Sequence, residues 1–531
     1  MAELVSPKSA LFSLREKRFL RYIVLFVVIS RIVLMFRSEE RIYTRPYLED
    51  SFYLFNCAEH FANGEGFTCD GTQATNGVQP LVVIFYAPLF LVAGANKLLA
   101  LKLAFILIAL FDVISTLLAA RLVRLLQKKP DIEGSPWFSP PIVAAVLWAC
   151  LYPIFVHTGS GLETGLYSTM LLASLCYYSN LSRLRDAGQR ISLFQWMLCG
   201  LILGFTVLAR IDSVFLVIAI ACYEIYRLRA KGILSGMVIS IVAFIVSSPW
   251  WIYNYRVFGS IMPQSGVSES LEPGLLAENL RRGAIVIGDI FTVFFFLPNY
   301  ELPAWFHFFW FAALTAIVVL VAKRSGAREY LQTTYSLSSL TPYYFFCAAI
   351  VIYYIFFFSA PHFLPRYFQP FRIVWLVLFA CITPKFISSL RDFQVRSKRA
   401  VLAFIWVFAL CAFGFSASRY GYYFLIEKSS DFYRTGKYAL EHSDKKIGME
   451  QSGTAGFIAS NVVNLDGKVN FAALQAIQKG DIGGYVQSAK LDYIADWREF
   501  SERIVESAAK HGARFQEIDS IGRIVIFKRV E

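Results

Sequence analysis

The sequence predicts an α-helical polytopic membrane protein with about eleven transmembrane helices, followed by a small C-terminal α/β domain. Three observations carry that expectation. The 531-residue chain is 56% hydrophobic and only 17% charged, against about 25% charged in a soluble domain. Apolar runs of about 20 residues, the length that crosses a bilayer, recur along most of it. After residue 417 the pattern changes to short strand-like runs.

The first apolar run, 19–36, follows a basic start (Arg15, Lys17, Arg18). It is long and has no small-residue cleavage site, so it is expected to stay as the first helix. Further spans are expected at 99–120, 141–157, 165–181, 193–209, 213–226, 233–251, 304–322, 342–359, 371–388 and 400–417. Two weaker runs, 81–94 and 284–297, have the length of interfacial or re-entrant segments.

The loops then set the orientation. "RLVRLLQKK", "SRLRDAGQR", "RLRAK", "KRSGAR" and "RDFQVRSKR" fall on the side of the N-terminus, and the "HTGSGLET" turn opposite has no Lys or Arg. Basic loops stay in the cytoplasm, which predicts a cytoplasmic N-terminus and accounts for the net charge of +13 without nucleic acid as a partner. Loops 37–98 and 252–303 and the tail, 418–531, are thereby expected outside, with 1–417 as the membrane domain. In the tail, "KKIGME", "VVNLDG", "LDYIAD" and "RIVIFKR" look like strands, and Phe500, Ile504, Val505 and Ala508 have helical spacing.

Seven of the nine Cys sit in or beside apolar runs, where a thiol is a small hydrophobe. Cys57 and Cys69 share the first loop, where either free thiols or a disulfide fits. No CxxC or HExxH pattern marks a metal site.

The first loop opens on two acids, Glu49 and Asp50. Residues 49–62 fit an amphipathic helix lying on the membrane surface, with Leu54, Ala58 and Phe61 on one stripe. Adjacent helical residues project about 100° apart, so only one acid can point into a given pocket. Acids there either cap the helix or serve as a base. On the same face lie Glu163 in "GSGLETG", Arg210 and Asp212 in "LARIDS", and His362, Arg366 and Tyr367 in "PHFLPRYFQP". Arginine at a span end commonly snorkels or pairs with a neighbour. Its planar fork also suits a phosphate, so convergent acids and arginines fit a phosphate leaving group and a proton to remove.

The segment "EDSFYLFNCAEHFANGEGFTCDG" with "ATNGVQPL" resembles the first external loop of bacterial C-type (GT-C) glycosyltransferases. "GSGLETGLY", "LARIDS", "PWWIYNYRVFGSIMPQS", "RYFQP" and "GTAGFIASNVVNLDGKVN" are similar, in order, to further segments of that family. Glu49 stands where the family usually has Asp. The resemblance implies a multi-pass protein of the bacterial inner membrane. Its activity would be inverting transfer of a sugar from a polyprenyl-phosphate donor to an envelope glycan, lipid or protein, as in arabinofuranosyl- and mannosyltransferases.

Glu49, by its place in the pattern, or Asp50 would be the base, with Arg366 and then Arg210 on the phosphate. Asn76, Gln79 and Tyr53 would line the sugar site. A basic clamp on a monophosphate does not demand a divalent ion, so no metal or other cofactor is expected. The alternatives are a transporter or flippase of lipid-linked sugar and a non-catalytic sugar-binding membrane protein. Transporters show internal repeats and mid-membrane ionisable groups, and neither is evident here.

Overall fold

The computed structural model describes residues 12–128, 139–269, 275–292, 326–358, 361–391 and 430–530, together with 305, 309 and 312. The described part of the membrane domain is helical. Leu14–Phe36, Lys97–Leu126, Ala230–Phe258 and Leu337–Phe356 are each long and apolar enough to cross a membrane. Expected spans 165–181, 193–209, 213–226 and 371–388 fall on helices Thr164–Asp186, Leu193–Ala209, Val214–Leu228 and Gln369–Arg391. The span expected at 400–417 and nearly all of 304–322 lie outside the described residues.

One expected span is not a single helix. Run 141–157 is built as Pro140–Cys150 and Tyr152–Thr158, bent by 60°. Leu151 is extended at the break. Pro153 has no N–H to continue the ladder, and its ring crowds the preceding turn. The weaker run at 81–94 forms Pro80–Ala93, a 14-residue helix that packs on Lys97–Leu126.

The first loop departs further from expectation. Its helix spans Ser51–Ala62, and Ser51 through Ala58 are all buried. It therefore does not lie on a membrane surface. Tyr47 stacks on Phe105 of the bundle at 4.7 Å and meets Phe55 edge-on, while Phe55 packs on Tyr86. On its other side the tail covers it. An apolar stripe with protein on both flanks loses more water contact than one resting at a lipid interface.

The tail folds as a five-stranded sheet, β1 (Ile447–Met449), β2 (Val462–Asn464), β3 (Tyr493–Trp497), β4 (Phe515–Ile521) and β5 (Ile524–Arg529), in the order β2-β1-β3-β5-β4. β1 is parallel to both neighbours, and β5 is antiparallel to β3 and β4. Gly522, at φ +64°, makes the tight β4–β5 turn. The four runs read as strands are β1, β2, β3 and β5, and the helical spacing near 500 is the helix Arg498–Ala509. β4 escaped notice because it is a mostly exposed edge strand without an apolar face.

Phe457, at the end of the helix Gly453–Ile458, joins the two parts. It is 0% exposed and belongs to the membrane-domain core. Its ring lies 5.5 Å from Phe52, 6.1 Å from Tyr43 and 6.1 Å from Phe90. Lys97 Nζ lies 4.8 Å above it and donates to its carbonyl at 2.9 Å. Full burial of such a ring contributes about 3 kcal/mol. Phe457→Ala should therefore weaken attachment of the tail by roughly 3–5 kcal/mol. Denaturant unfolding of the full chain in detergent checks this. An unchanged midpoint would mean that the tail is held elsewhere.

Candidate active site

The two acids of the first loop are separated by the chain itself. Leu48 N–H donates to the Ser160 carbonyl at 3.1 Å, tying the start of the loop to the "GSGLETG" turn. Gly161 in that turn sits at φ +78°, and a Cβ there would come within 2.7 Å of the Tyr47 ring. Asp50 occupies the N-cap position of Ser51–Ala62 but accepts no capping hydrogen bond. Capping is thus not its role.

Asp50 faces a cavity of about 290 Å³. Glu49 turns the other way, into the tail, and its Oε1 accepts from Thr454 N at 3.2 Å. Gly453 makes room for it, since a Cβ there would stand 2.8 Å from Glu49 Oε1. Glu49 Oε2 is buried with no hydrogen-bond partner among the described residues.

The cavity wall brings together loops far apart in sequence. Glu163, Arg210, Asp212, Arg366, Tyr367, Gln79 and Tyr53 all line it, as do Glu269 and Lys468. Arg210 is held on three sides: Nε bonds Asp212 at 2.9 Å, Nη2 donates to the Tyr354 hydroxyl at 2.8 Å, and Nη1 lies 3.5 Å from Glu163. Tyr354 in turn donates to Asp212 at 2.7 Å and stacks on Tyr367 at 4.3 Å. The Arg210 guanidinium also lies 4.3 Å over the Tyr367 ring.

Arg366 is bound more loosely. Its carboxylate neighbours, Asp50 at 3.9 Å and Glu163 at 4.0 Å, stand beyond hydrogen-bond reach. Its guanidinium packs over Phe363 and Tyr367. That leaves donors free to meet an anion.

Sequence reasoning missed Lys468, Glu269 and Tyr354. Lys468 comes from the tail and pairs with Glu269 at 3.1 Å and Asp466 at 3.6 Å. Burial would depress its pKa, yet the carboxylates of Asp466, Asp50 and Glu269 hold it above its ordinary value. The available signal was its position inside "NLDGKVN". Gly77 of "TNGVQP" lets the tail come this close, because a Cβ there would overlap the Lys468 carbonyl at 1.7 Å.

Two expected site residues, Asn76 and His362, stand off the cavity wall, and Tyr53 lines it with its hydroxyl turned into the tail. Asn76 is buried off the cavity wall and accepts from Gln264 N at 2.9 Å, joining the first loop to the segment that follows Ala230–Phe258. The Tyr53 hydroxyl reaches into the tail, where it accepts from Ser452 N and Asn464 Nδ2, each at 3.2 Å. His362 is exposed and does not line the cavity. Among the described residues, no three His, Cys, Asp or Glu side chains converge as metal ligands. Cys57 and Cys69 are free thiols.

No family model and no curated protein matches this chain. Among solved structures, ArnT from Cupriavidus metallidurans bound to undecaprenyl phosphate superposes over 95% of this chain and 97% of its own, at 12% identity and a TM-score of 0.55. The apo state of ArnT does so at 13% identity and a TM-score of 0.53, with the same coverage. The chain therefore has the GT-C fold, as its motif series implied.

Burial pushes the Glu49 carboxyl well above its ordinary 4.5, and the adjacent Asp50 charge adds to the effect. A carboxyl with a raised folded pKa supports the folded state while protonated. That support is complete below the ordinary value and is lost as pH rises through the raised one. Tail attachment should therefore weaken as pH climbs from 4.5, and Glu49→Gln should flatten that slope. Thermal unfolding of both proteins across pH checks this, and equal slopes would refute it.

Proposed function

We propose that this GT-C-fold chain is a glycosyltransferase that moves a sugar from a polyprenyl-phosphate donor to an acceptor hydroxyl, with inversion at the anomeric carbon. The observation that carries the reading is one cavity whose wall holds Asp50 together with Arg366, Arg210 and Lys468, with Arg366 3.9 Å from Asp50. A base and fixed cations around one space are what displacement of a phosphate requires. ArnT, which shares the fold, was crystallised with undecaprenyl phosphate. The cavity lies on the side of the bundle covered by the tail, and we assign that side to the exterior of a bacterial inner membrane because the basic loops fall opposite.

In this reading the acceptor oxygen attacks C1 as its proton passes to an Asp50 carboxylate oxygen. The bond from C1 to the phosphate oxygen breaks, and polyprenyl phosphate leaves with the electron pair. Arg366, loosely paired, meets the phosphate. Arg210, clamped by Asp212, Tyr354 and Glu163, adds fixed positive charge, and Lys468 closes the tail side. Gln79 and Glu163 are placed to bond sugar hydroxyls. Asp50 replaces Glu49 as the preferred base, because Glu49 is engaged by Thr454.

Asp50→Asn should lower turnover of a radiolabelled polyprenyl-phosphate sugar by roughly 10²- to 10⁴-fold. Glu49→Gln should retain most of it. Arg366→Ala should cost roughly 10²- to 10³-fold. Full activity in both Asp50→Asn and Arg366→Ala would remove the site. Label should reach an acceptor in detergent, with no sealed compartment, and movement of label only across closed vesicles would instead favour a flippase.

A further inference from the structure

A second cavity, of about 230 Å³, lies between the first-loop helix and the tail. Tyr53 and Val469 line both this space and the larger one, so the two are separated by little more than the Tyr53 side chain. Its charged wall residues are already matched. Glu59 pairs with Lys97 at 2.8 Å and His60 with Glu65 at 2.5 Å, while Asp70 accepts from the backbone of Thr72 and Gln73 in its own turn.

What remains for a ligand is neutral. Asn56 is 4% exposed and lines this cavity, and its amide makes no hydrogen bond among the described residues. An amide that opens onto the cavity offers a ligand both a donor and an acceptor. Asn63 and Ser460 add polar groups at the exposed edge. The Tyr53 ring, Val462 and Val469 supply an apolar surface of the kind the C–H face of a sugar covers.

We propose that this cavity is a subsite for an uncharged sugar residue of the acceptor. The assignment to the acceptor, though not to sugar, rests on the transferase reading. A lipid-linked donor must send its chain toward the apolar bundle, whereas this space is walled by polar loop and tail. A glycan whose terminal hydroxyl lies beside Asp50 would set a preceding residue past Tyr53 against Asn56.

Saturation-transfer NMR on the full chain in detergent, with methyl α-D-mannopyranoside, methyl β-D-galactopyranoside and methyl α-D-arabinofuranoside, tests this without catalysis. At least one should bind both the native chain and Asp50→Asn. Binding should be roughly tenfold weaker in Asn56→Leu, as expected for loss of one buried hydrogen-bonding group. Ser460→Trp, at the exposed edge and so harmless to folding, should weaken binding as well. Unchanged binding in both of these variants, or no binding of any glycoside to the native chain, overturns the subsite. Failure of the transfer assay with binding intact overturns only the transferase reading.

Discussion

The site depends on one aromatic junction. Phe457 from the tail enters the cluster of Tyr43, Phe52 and Phe90, and the Tyr53 hydroxyl reaches back to Ser452 and Asn464. With that junction made, the first-loop helix is buried on both flanks. Glu49 is turned into the tail, Asp50 is left to the cavity, and Lys468 is carried in to complete its wall. The tail is thus part of the candidate site.

The charges divide into those that hold the structure and those left over. Elsewhere in the bundle, buried pairs are closed tightly: Arg31 meets Asp112 at 2.7 Å and Arg185 meets Glu224 at 2.6 Å. Such pairs set hydrogen bonds against part of what the charges lose in hydration. Arg210 follows that rule. Arg366 does not, since its acids stand at 3.9 and 4.0 Å, beyond hydrogen-bond reach. A cation kept in place but incompletely satisfied is ready for an anionic ligand, and the same logic applies in neutral form to Asn56 in the second cavity.

Much of this was readable from the sequence. Most apolar runs became helices within a few residues, because burial of an apolar face is a local, periodic property. The motif residues Asp50, Glu163, Arg210, Asp212, Arg366 and Tyr367 do meet at one cavity. The break at Leu151 and the exposed strand β4 were harder, since the first turns on a single proline and the second carries no hydrophobic period.

The sequence by itself determined the membrane class, the α/β tail and the set of polar groups from which a site had to be drawn. Hydropathy and residue type carry that information along the chain. Only the tertiary structure decided which acid faces the cavity, that Asn76 and Tyr53 bond across segment boundaries, and that Lys468 belongs beside Arg366. Those outcomes depend on contacts between residues as much as 411 positions apart, Tyr53 and Asn464 among them. No local pattern encodes the direction of a side chain at the meeting of two separately folded parts.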